Sequence, residues 1–310
     1  MKKGVIKYDQ NPILTKDNVP FKVNSIFNAG AIKINGKYLL LCRTEMPNGR
    51  SSLTLTESTD GVNFTVAQKP TLQPEDHNEF YKYVEWGIED PRITKINDKY
   101  YLTYTGYSKY EPLVILAETQ DFEKFIIHGP ISEPSNKDCS LFPEMIDGYY
   151  WKVDRPSAEI RNDIWISKSP DLFHWGSYRV LMEPTLGTWE NHKIGSSSNP
   201  IKTDVGWLML YHGVRQLTFG AMYKLGVVLL DLEKPWLVKG KTSEPIIVPD
   251  YDFERVGDVG NVVFSNGWIE EPDGEIKIYY SGADLNICLA TTTKDYLVSI
   301  CLEKANNNAD

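Results

Sequence analysis

Residues 85–92 bring together the side chains best suited to chemistry in this chain. The segment reads Glu-Trp-Gly-Ile-Glu-Asp-Pro-Arg, so it holds three carboxylates, an indole and a guanidinium. Pro91 favours extended backbone at Asp90 and lacks a backbone donor, and strand-like sequence follows at once. A carboxylate fixed beside an aromatic ring and an arginine suits a general acid whose pKa is set by its surroundings. The alternative is a turn aspartate that binds its own backbone ahead of a proline.

Two groups of polar side chains fall at matching places in a repeated strand pattern. The first is acidic and polar: Asn28, Arg43, Asp90 and Asp284. The second is basic: Lys137, Arg155, Lys193 and His212. The basic group predicts a local anion site, because Arg offers paired donors, Lys a point charge and His a tunable donor. Phosphate suits such a site, and side chains would have to hold it because the chain has no Walker-type glycine loop.

Each of these residues also has an ordinary structural explanation. Arg155 would pair with a neighbouring carboxylate, and Lys193 would be a solvated loop charge. His212 ends an apolar strand and would be a hydrogen-bonded core histidine, while Asn28 would be a turn residue. Taken singly, such residues are more often structural than functional.

The elements that must position these residues show a weak repeat. Tight turns precede aromatic-rich strands at residues 35–36, 97–98, 147–148, 204–206 and 272–274. A strand, a turn, an aromatic strand and usually a third strand recur at a spacing of roughly 50 to 65 residues, which is typical of propeller blades. The repeat predicts an all-β fold, a five-bladed β-propeller with a central axial pocket. The rival interpretation is a β-sandwich with long insertions.

The propeller interpretation makes specific predictions about placement. We expect one domain over residues 1–310, with residues 4–8 closing a blade and a frayed tail at 302–310. The innermost strand of each blade lines the central channel. The axis should therefore gather Asn28, Asp90 and residues 139–143, 196–200 and 260–261.

Composition narrows the class of protein. The net charge of −9 argues against a nucleic-acid partner. The four cysteines form no C-x-x-C pair and lie outside zinc-ligand spacing, so we expect buried free thiols in a reducing compartment. No long apolar run follows the first lysines, so we expect no signal peptide, no membrane association and a cytoplasmic location.

Several motifs together resemble glycoside hydrolase family 130, the mannoside phosphorylases and related mannosidases. The matching segments are residues 27–31 (Phe-Asn-Ala-Gly-Ala), 87–92 (Gly-Ile-Glu-Asp-Pro-Arg), 141–143 (Leu-Phe-Pro), 154–156 (Asp-Arg-Pro), 163–171, 189–195 (Trp-Glu-Asn-His-Lys-Ile-Gly), 206–214 and 279–284 (Tyr-Tyr-Ser-Gly-Ala-Asp). They run in order over nearly the whole chain. The family fold is a five-bladed propeller, in agreement with the repeat.

The resemblance implies inverting phosphorolysis of β-mannosides to α-mannose 1-phosphate. Asp90 matches the family's proton donor, which acts through a hydroxyl of the bound mannose while phosphate attacks from the opposite face. Asn28, Arg43 and Asp284 match the residues that hold this mannose. The phosphate-binding set is matched by Arg155, Lys193 and His212, with Lys137 where many members have Arg. The resemblance implies no metal and no organic cofactor, with inorganic phosphate as co-substrate.

Two departures from the family pattern bear on the acceptor sugar and the linkage. Glu89 stands where many members have Tyr, and residues 196–200 (Ser-Ser-Ser-Asn-Pro) replace an Ala-Gly-Pro type of sequence. The Glu-Asp-Pro-Arg form also occurs among family members that act on β-1,2-mannosides, so the resemblance favours β-1,2 over β-1,4 linkages.

A β-mannosidase that uses water and a non-catalytic sugar-binding propeller are the competing functions. Residues 80–83 would cover the acceptor site or form a homo-oligomer interface.

Overall fold

The strands follow one another as five small antiparallel sheets in a computed structural model that describes residues 4–158, 162–218 and 220–303. The first two of these sheets are joined by one parallel bridge, between Ser51 and Gly87. A short strand, β1 (Ile6–Lys7), comes first. The first sheet holds β2 (Ser25–Ile34), β3 (Lys37–Glu45), β4 (Ser51–Ser58) and β5 (Thr65–Val66). The second holds β6 (Gly87–Ile96), β7 (Lys99–Tyr107), β8 (Leu113–Thr119) and β9 (Ile126–Pro130). The third holds β10 (Asn136–Leu141), β11 (Tyr150–Pro156), β12 (Ile164–Ser169) and β13 (Gly176–Met182).

The last two sheets repeat this order with small variations. The fourth holds β14 (Lys193–Ser196), β15 (Ile201–Lys202), β16 (Trp207–Leu217), β17 (Gly220–Leu230) and β18 (Val238–Lys241). Both β14 and β15 pair with β16, so together they act as one interrupted inner strand. The fifth holds β19 (Val263–Glu270), β20 (Glu275–Gly282) and β21 (Asn286–Thr293). We call these sheets blades 1 to 5, and the prediction of a five-bladed propeller is confirmed.

Short helices lie between and after the blades. The α-helices are α1 (Asp252–Arg255) and α2 (Lys294–Leu302), and the 3-10 helices span Lys16–Asn18 and Pro74–Tyr83. Strand periodicity did not predict α2, which begins where the Thr293 hydroxyl accepts a hydrogen bond from the backbone of Tyr296. Leu302 ends this helix, and residues 304–310 of the predicted frayed tail lie outside the described residues. Within the described ranges, no helix has the length and apolarity needed to cross a membrane.

The hydrophobic core is divided among the blade interfaces. Successive side chains of a strand point to opposite faces, so adjacent residues of a central strand enter different interfaces. Leu40 packs between blades 1 and 5, whereas Leu41 packs between blades 1 and 2. In the same way Tyr279 faces blade 1 and Tyr280 faces blade 4. This two-sided burial explains why the second strand of each blade is so rich in apolar residues.

The ring is closed by β1. It pairs antiparallel with β21, so the outer strand of blade 5 comes from the other end of the sequence. Lys7 anchors it through an Nζ–Oε2 ion pair of 2.8 Å with the fully buried Glu254. The prediction that residues 4–8 close a blade is confirmed.

Candidate functional site

A cavity of about 160 Å³ lies where the inner strands of the blades meet. Its lining residues are Asn28, Arg43, Glu89, Asp90, Lys137, Asp138, Arg155, Lys193, His212, Tyr223, Val259, Val262, Phe264 and Asp284. All eight site residues predicted from the sequence are among them. The structure therefore brings together side chains from every blade, while their individual roles remain predictions.

Bulges in the inner strands direct polar side chains into this cavity. The strand pairing breaks between Phe27 and Gly30 in β2, between Glu89 and Arg92 in β6, and between Lys137 and Ser140 in β10. A residue with positive φ lies in each break: Asn28 at 45°, Asp90 at 54° and Asp138 at 56°. The prediction of extended backbone at Asp90 was therefore wrong, because the bulge sets its conformation. Asn and Asp tolerate this left-handed backbone better than other non-glycine residues. An extra residue in a strand re-aims its neighbours, so each bulge presents one polar side chain near the axis.

The bulge around Asp90 is held by the buried side chain of Arg92. Its Nη1 donates to the carbonyl of Asp90 at 3.0 Å. Its other nitrogens donate to the carbonyls of Ser197 at 2.8 Å and Ser196 at 2.9 Å in blade 4. Arg92 is 1% exposed, so this clamp is shielded from water. Pro91 also lies close to the neighbouring bulge, because a Cβ added at Gly30 would stand 2.7 Å from the Pro91 carbonyl oxygen.

One half of the cavity carries three carboxylates around a single arginine; we call it the acidic half. Arg43 lies 3.0 Å from Glu89 Oε1 and 3.3 Å from Asp90 Oδ1. Asn28 Nδ2 also donates to Asp90 Oδ1, at 2.8 Å. Both donors converge on the same oxygen, and no described residue donates to Oδ2. Oδ2 is therefore the Asp90 oxygen that these two donors leave available for a ligand.

Asp284 is the third carboxylate of the acidic half. Burial and the nearby Asp90 carboxylate raise its pKa to about 7, against a smaller opposing effect of Arg43. The physical cause is the cost of placing several negative charges in one desolvated space. Asp284 is therefore partly protonated near neutral pH and can donate a hydrogen bond as well as accept one.

The opposite half of the cavity carries three cations around one carboxylate; we call it the basic half. Arg155 Nε donates to Asp138 Oδ2 at 2.7 Å, and His212 Nε2 lies 3.7 Å from the same oxygen. Burial alone would raise the pKa of Asp138, but the permanently charged Arg155 and Arg92 hold it well below its usual range. Asp138 therefore stays ionised at the centre of this half.

Two members of the basic half, Lys193 and His212, have pKa values shifted toward their neutral forms. Burial, together with Arg155 and Lys137, lowers the pKa of Lys193 to about 8. Burial likewise lowers the pKa of His212 to about 3, so this imidazole is neutral at pH 7. Its Nδ1 is buried and has no hydrogen-bond partner among the described residues. A buried polar atom without a protein partner is uncommon and marks a place where a ligand group can bind.

Gly195 permits the contact between Asp138 and His212. A Cβ at this residue would lie 2.4 Å from His212 Cε1 and 2.5 Å from Asp138 Oδ2. Real Cβ atoms do not approach so closely, so any larger side chain would push the two groups apart. The glycine of the Lys-Ile-Gly motif is thus needed for close packing inside the basic half.

Sequence reasoning missed part of this site. The sequence predicts residues 139–143 at the axis but does not single out Asp138, which directly precedes them. Like Asp90, Asp138 lies in a bulge of an innermost strand. Residues 260–261 were predicted at the axis, but Val259 and Val262 line the cavity there instead. Residues 196–200 contribute backbone carbonyls to the Arg92 clamp. Phe80, predicted to cover the acceptor site or an interface, packs against the backbone of Gly129 in β9.

Comparison with known proteins identifies the family. A family model described as beta-1,4-mannooligosaccharide phosphorylase matches residues 5–303. The chain belongs to glycoside hydrolase family 130. The family resemblance of the sequence motifs is thereby confirmed.

Family 130 relatives match along most of their own length. A β-1,2-mannobiose phosphorylase from Listeria innocua is 34% identical, over 92% of this chain and 94% of the relative. A β-1,4-mannooligosaccharide phosphorylase from Ruminococcus albus is also 34% identical, over 94% of this chain and 89% of the relative. The solved structure of the Listeria innocua β-1,2-mannobiose phosphorylase, in complex with β-1,2-mannobiose, superposes with a TM-score of 0.88. That match has 31% identity and covers 96% of this chain and 99% of the other.

Proposed function

We propose that this protein is an inverting phosphorylase that cleaves β-mannosides with inorganic phosphate and releases α-mannose 1-phosphate. The observation that carries the proposal is the division of one cavity into an acidic half with Asp90 and a basic half with Lys137, Arg155 and Lys193. The names of the family 130 relatives support the same reaction. A non-catalytic sugar-binding propeller would need neither half in this form.

The geometry suggests a division of labour in the reaction. The sugar that is cleaved would lie in the acidic half, held by Asn28, Arg43 and Asp284. Asp90 would give its proton from Oδ2 to a hydroxyl of this mannose, which relays a proton to the departing glycosidic oxygen. One carboxylic acid suffices, because phosphate replaces the water that a second carboxylate activates in an inverting hydrolase.

Phosphate would bind in the basic half and attack the anomeric carbon from the face opposite the leaving group. Arg155 would supply paired donors, Lys193 and Lys137 point charges, and the neutral His212 a single hydrogen bond. The attack inverts the anomeric configuration, which turns a β-mannoside into an α-phosphate. Phosphate is thus a co-substrate consumed in each turnover.

The test is product analysis with β-1,2-mannobiose and β-1,4-mannobiose, each with and without inorganic phosphate. We expect mannose 1-phosphate that forms only when phosphate is present, and the better substrate gives the linkage. Free mannose formed without any phosphate requirement would overturn the proposal in favour of a β-mannosidase. An Asp90→Asn sample run in parallel shows whether any product comes from this site or from a contaminant.

A further inference from the structure

Asp138 is the carboxylate of the basic half, so its charge opposes the anion that this half would bind. It lies on β10 in blade 3, yet its carboxylate faces groups from three blades. Oδ2 accepts from Arg155 at 2.7 Å and faces His212 of blade 4, and Oδ1 lies 3.5 Å from Arg92 of blade 2. The side chain is almost fully buried. A carboxylate in such a place needs a specific reason, because it competes with a bound anion.

The first effect of Asp138 is on the net charge of the basic half. Lys137, Arg155 and Lys193 line this half as cations, and His212 is neutral. Asp138 offsets one of these three positive charges, and it also lies 3.5 Å from a fourth cation, the buried Arg92. The basic half therefore stays net positive toward an anion, while the carboxylate reduces the repulsion among cations that are close together in a desolvated space.

The second effect is on the orientation of Arg155. Its Nε is engaged by Asp138, and Nη1 lies 3.3 Å from Asn162 Oδ1 on the other side. A guanidinium is planar with five donors in a fixed fork, so fixing Nε fixes the direction of the remaining donors. The same carboxylate packs beside His212 across Gly195, so one group sets the place of two predicted phosphate ligands.

We propose that Asp138 is a positioning residue for phosphorolysis, which presents Arg155 and His212 to phosphate and sets the net charge of their site. This inference rests on the proposed function, since it names the group that organises the same phosphate site. Asp138 does not touch the reacting atoms. Its effect should therefore fall on phosphate affinity far more than on the rate of the bound complex.

The test compares Asp138→Asn with the wild-type protein. Losing a charge-assisted hydrogen bond to Arg155 should raise the KM for phosphate roughly tenfold to a hundredfold. We expect kcat at saturating phosphate and the KM for the sugar to change little. Asp138 raises the pKa of Lys193, so Lys193 should lose its charge at lower pH in Asp138→Asn. The phosphate KM, which is expected to rise when Lys193 loses its charge, should therefore begin to rise at lower pH in this variant than in the wild-type protein. Asp138→Glu, which keeps the charge, should recover part of the affinity.

Asp154→Asn is the matched control. Asp154 is equally buried and ion-paired to Lys152, and it lies beside Arg155 on β11 but does not line the cavity. A purely structural effect would appear in both variants as a lower melting temperature, without a selective change in phosphate KM. If Asp138→Asn does not fold, the same measurements on Asp138→Glu decide, with an unchanged phosphate KM and pH profile counting against the role.

Calorimetric titration with inorganic phosphate separates this proposal from the proposed function. Weaker binding by Asp138→Asn than by wild type supports the positioning role, even if mannose 1-phosphate never forms. Equal or tighter binding by Asp138→Asn overturns it, because removing a competing negative charge would then be the dominant effect. Absence of phosphate binding by the wild-type protein overturns it as well.

Discussion

The two halves of the cavity are built on the same electrostatic plan with the signs exchanged. In the acidic half, Glu89, Asp90 and Asp284 surround Arg43, whereas in the basic half three cations surround Asp138. Each central charge reduces the repulsion among its neighbours. The compensation is incomplete in both halves, because burial raises the pKa of Asp284 to about 7 and lowers that of Lys193 to about 8.

The halves differ in where the central charge comes from. Arg43 is on β3, the second strand of its blade, and reaches across to the bulge that holds Asp90. Asp138 instead occupies a bulge itself, and Arg155 reaches it from β11. A carboxylate at a bulge can thus serve as the reacting group or as the organiser of cations, and its neighbours decide which. The following changes test this distinction.

The largest effect is expected for Asp90→Asn. An amide of the same shape cannot give up a proton, so kcat should fall by roughly 100-fold to 10,000-fold while sugar binding persists. Steady-state kinetics and calorimetry with mannobiose check the two parts. Asp98→Asn, at the exposed turn of the same hairpin, is the control and should retain full activity. Undiminished turnover in Asp90→Asn would remove Asp90 from the mechanism.

Arg155→Ala should act on the basic half alone. Removing the paired donors should raise the KM for phosphate by roughly tenfold to a hundredfold, with a smaller effect on the sugar. Initial rates across a grid of both substrates separate the two constants. Arg179→Ala removes an exposed arginine of blade 3 that stacks on Trp236 of blade 4, and it should leave both constants unchanged. An unaltered phosphate dependence in Arg155→Ala would contradict the assignment of the anion site.

Gly195→Ala tests the packing that joins Asp138 to His212. The added methyl group would force these side chains apart, with a cost of about 1–3 kcal/mol in stability and weaker phosphate binding. Thermal melts and phosphate titration measure the two effects. Gly176→Ala places the same methyl in open space and serves as the control. If both variants behave like wild type, the close approach is not needed.

The smallest effect is expected from pH. Phosphate binding favours charged Lys193, and its pKa of about 8 lies below the ordinary lysine value because of burial. The charge is therefore lost as the pH rises through about 8, and the KM for phosphate should rise by several-fold between pH 7 and 9. Lys193→Met should bind phosphate more weakly at pH 7 and show a flatter profile. A wild-type KM that stays constant to pH 9 would contradict the assigned pKa.

The propeller could be predicted because its signals are local. Hairpin turns such as Asn97-Asp98 and the aromatic strands after them are determined by neighbouring residues. The sequence predicts third strands at residues 52–56, 113–117 and 163–167, and these lie within β4, β8 and, for the most part, β12. The four cysteines are buried and free, as their surroundings in the sequence predicted.

The organisation of the cavity was harder to predict because it depends on contacts between distant blades. Nothing local distinguishes Asp138 from a turn aspartate, since its partners Arg92 and His212 lie 46 and 74 residues away in the sequence. The positive φ that aims the side chain arises from strand register, which a single sequence does not reveal. The need for glycine at residue 195 is equally hard to predict, because the side chains that leave no room for a Cβ there come from other strands.

The closure of the ring by β1 links the integrity of the fold to the site itself. The seam between blades 5 and 1 contains the hydrogen bond of 2.5 Å from the Asn28 backbone to Ser281 Oγ, just beside the Asp90 side chain. Detaching β1 would weaken blade 5 while the other blades kept their strand pairing. Proteins open locally at free energies below that of global unfolding. We therefore expect activity to disappear at lower denaturant concentration than the β-sheet circular dichroism signal, so that catalysis itself reports whether the ring is shut.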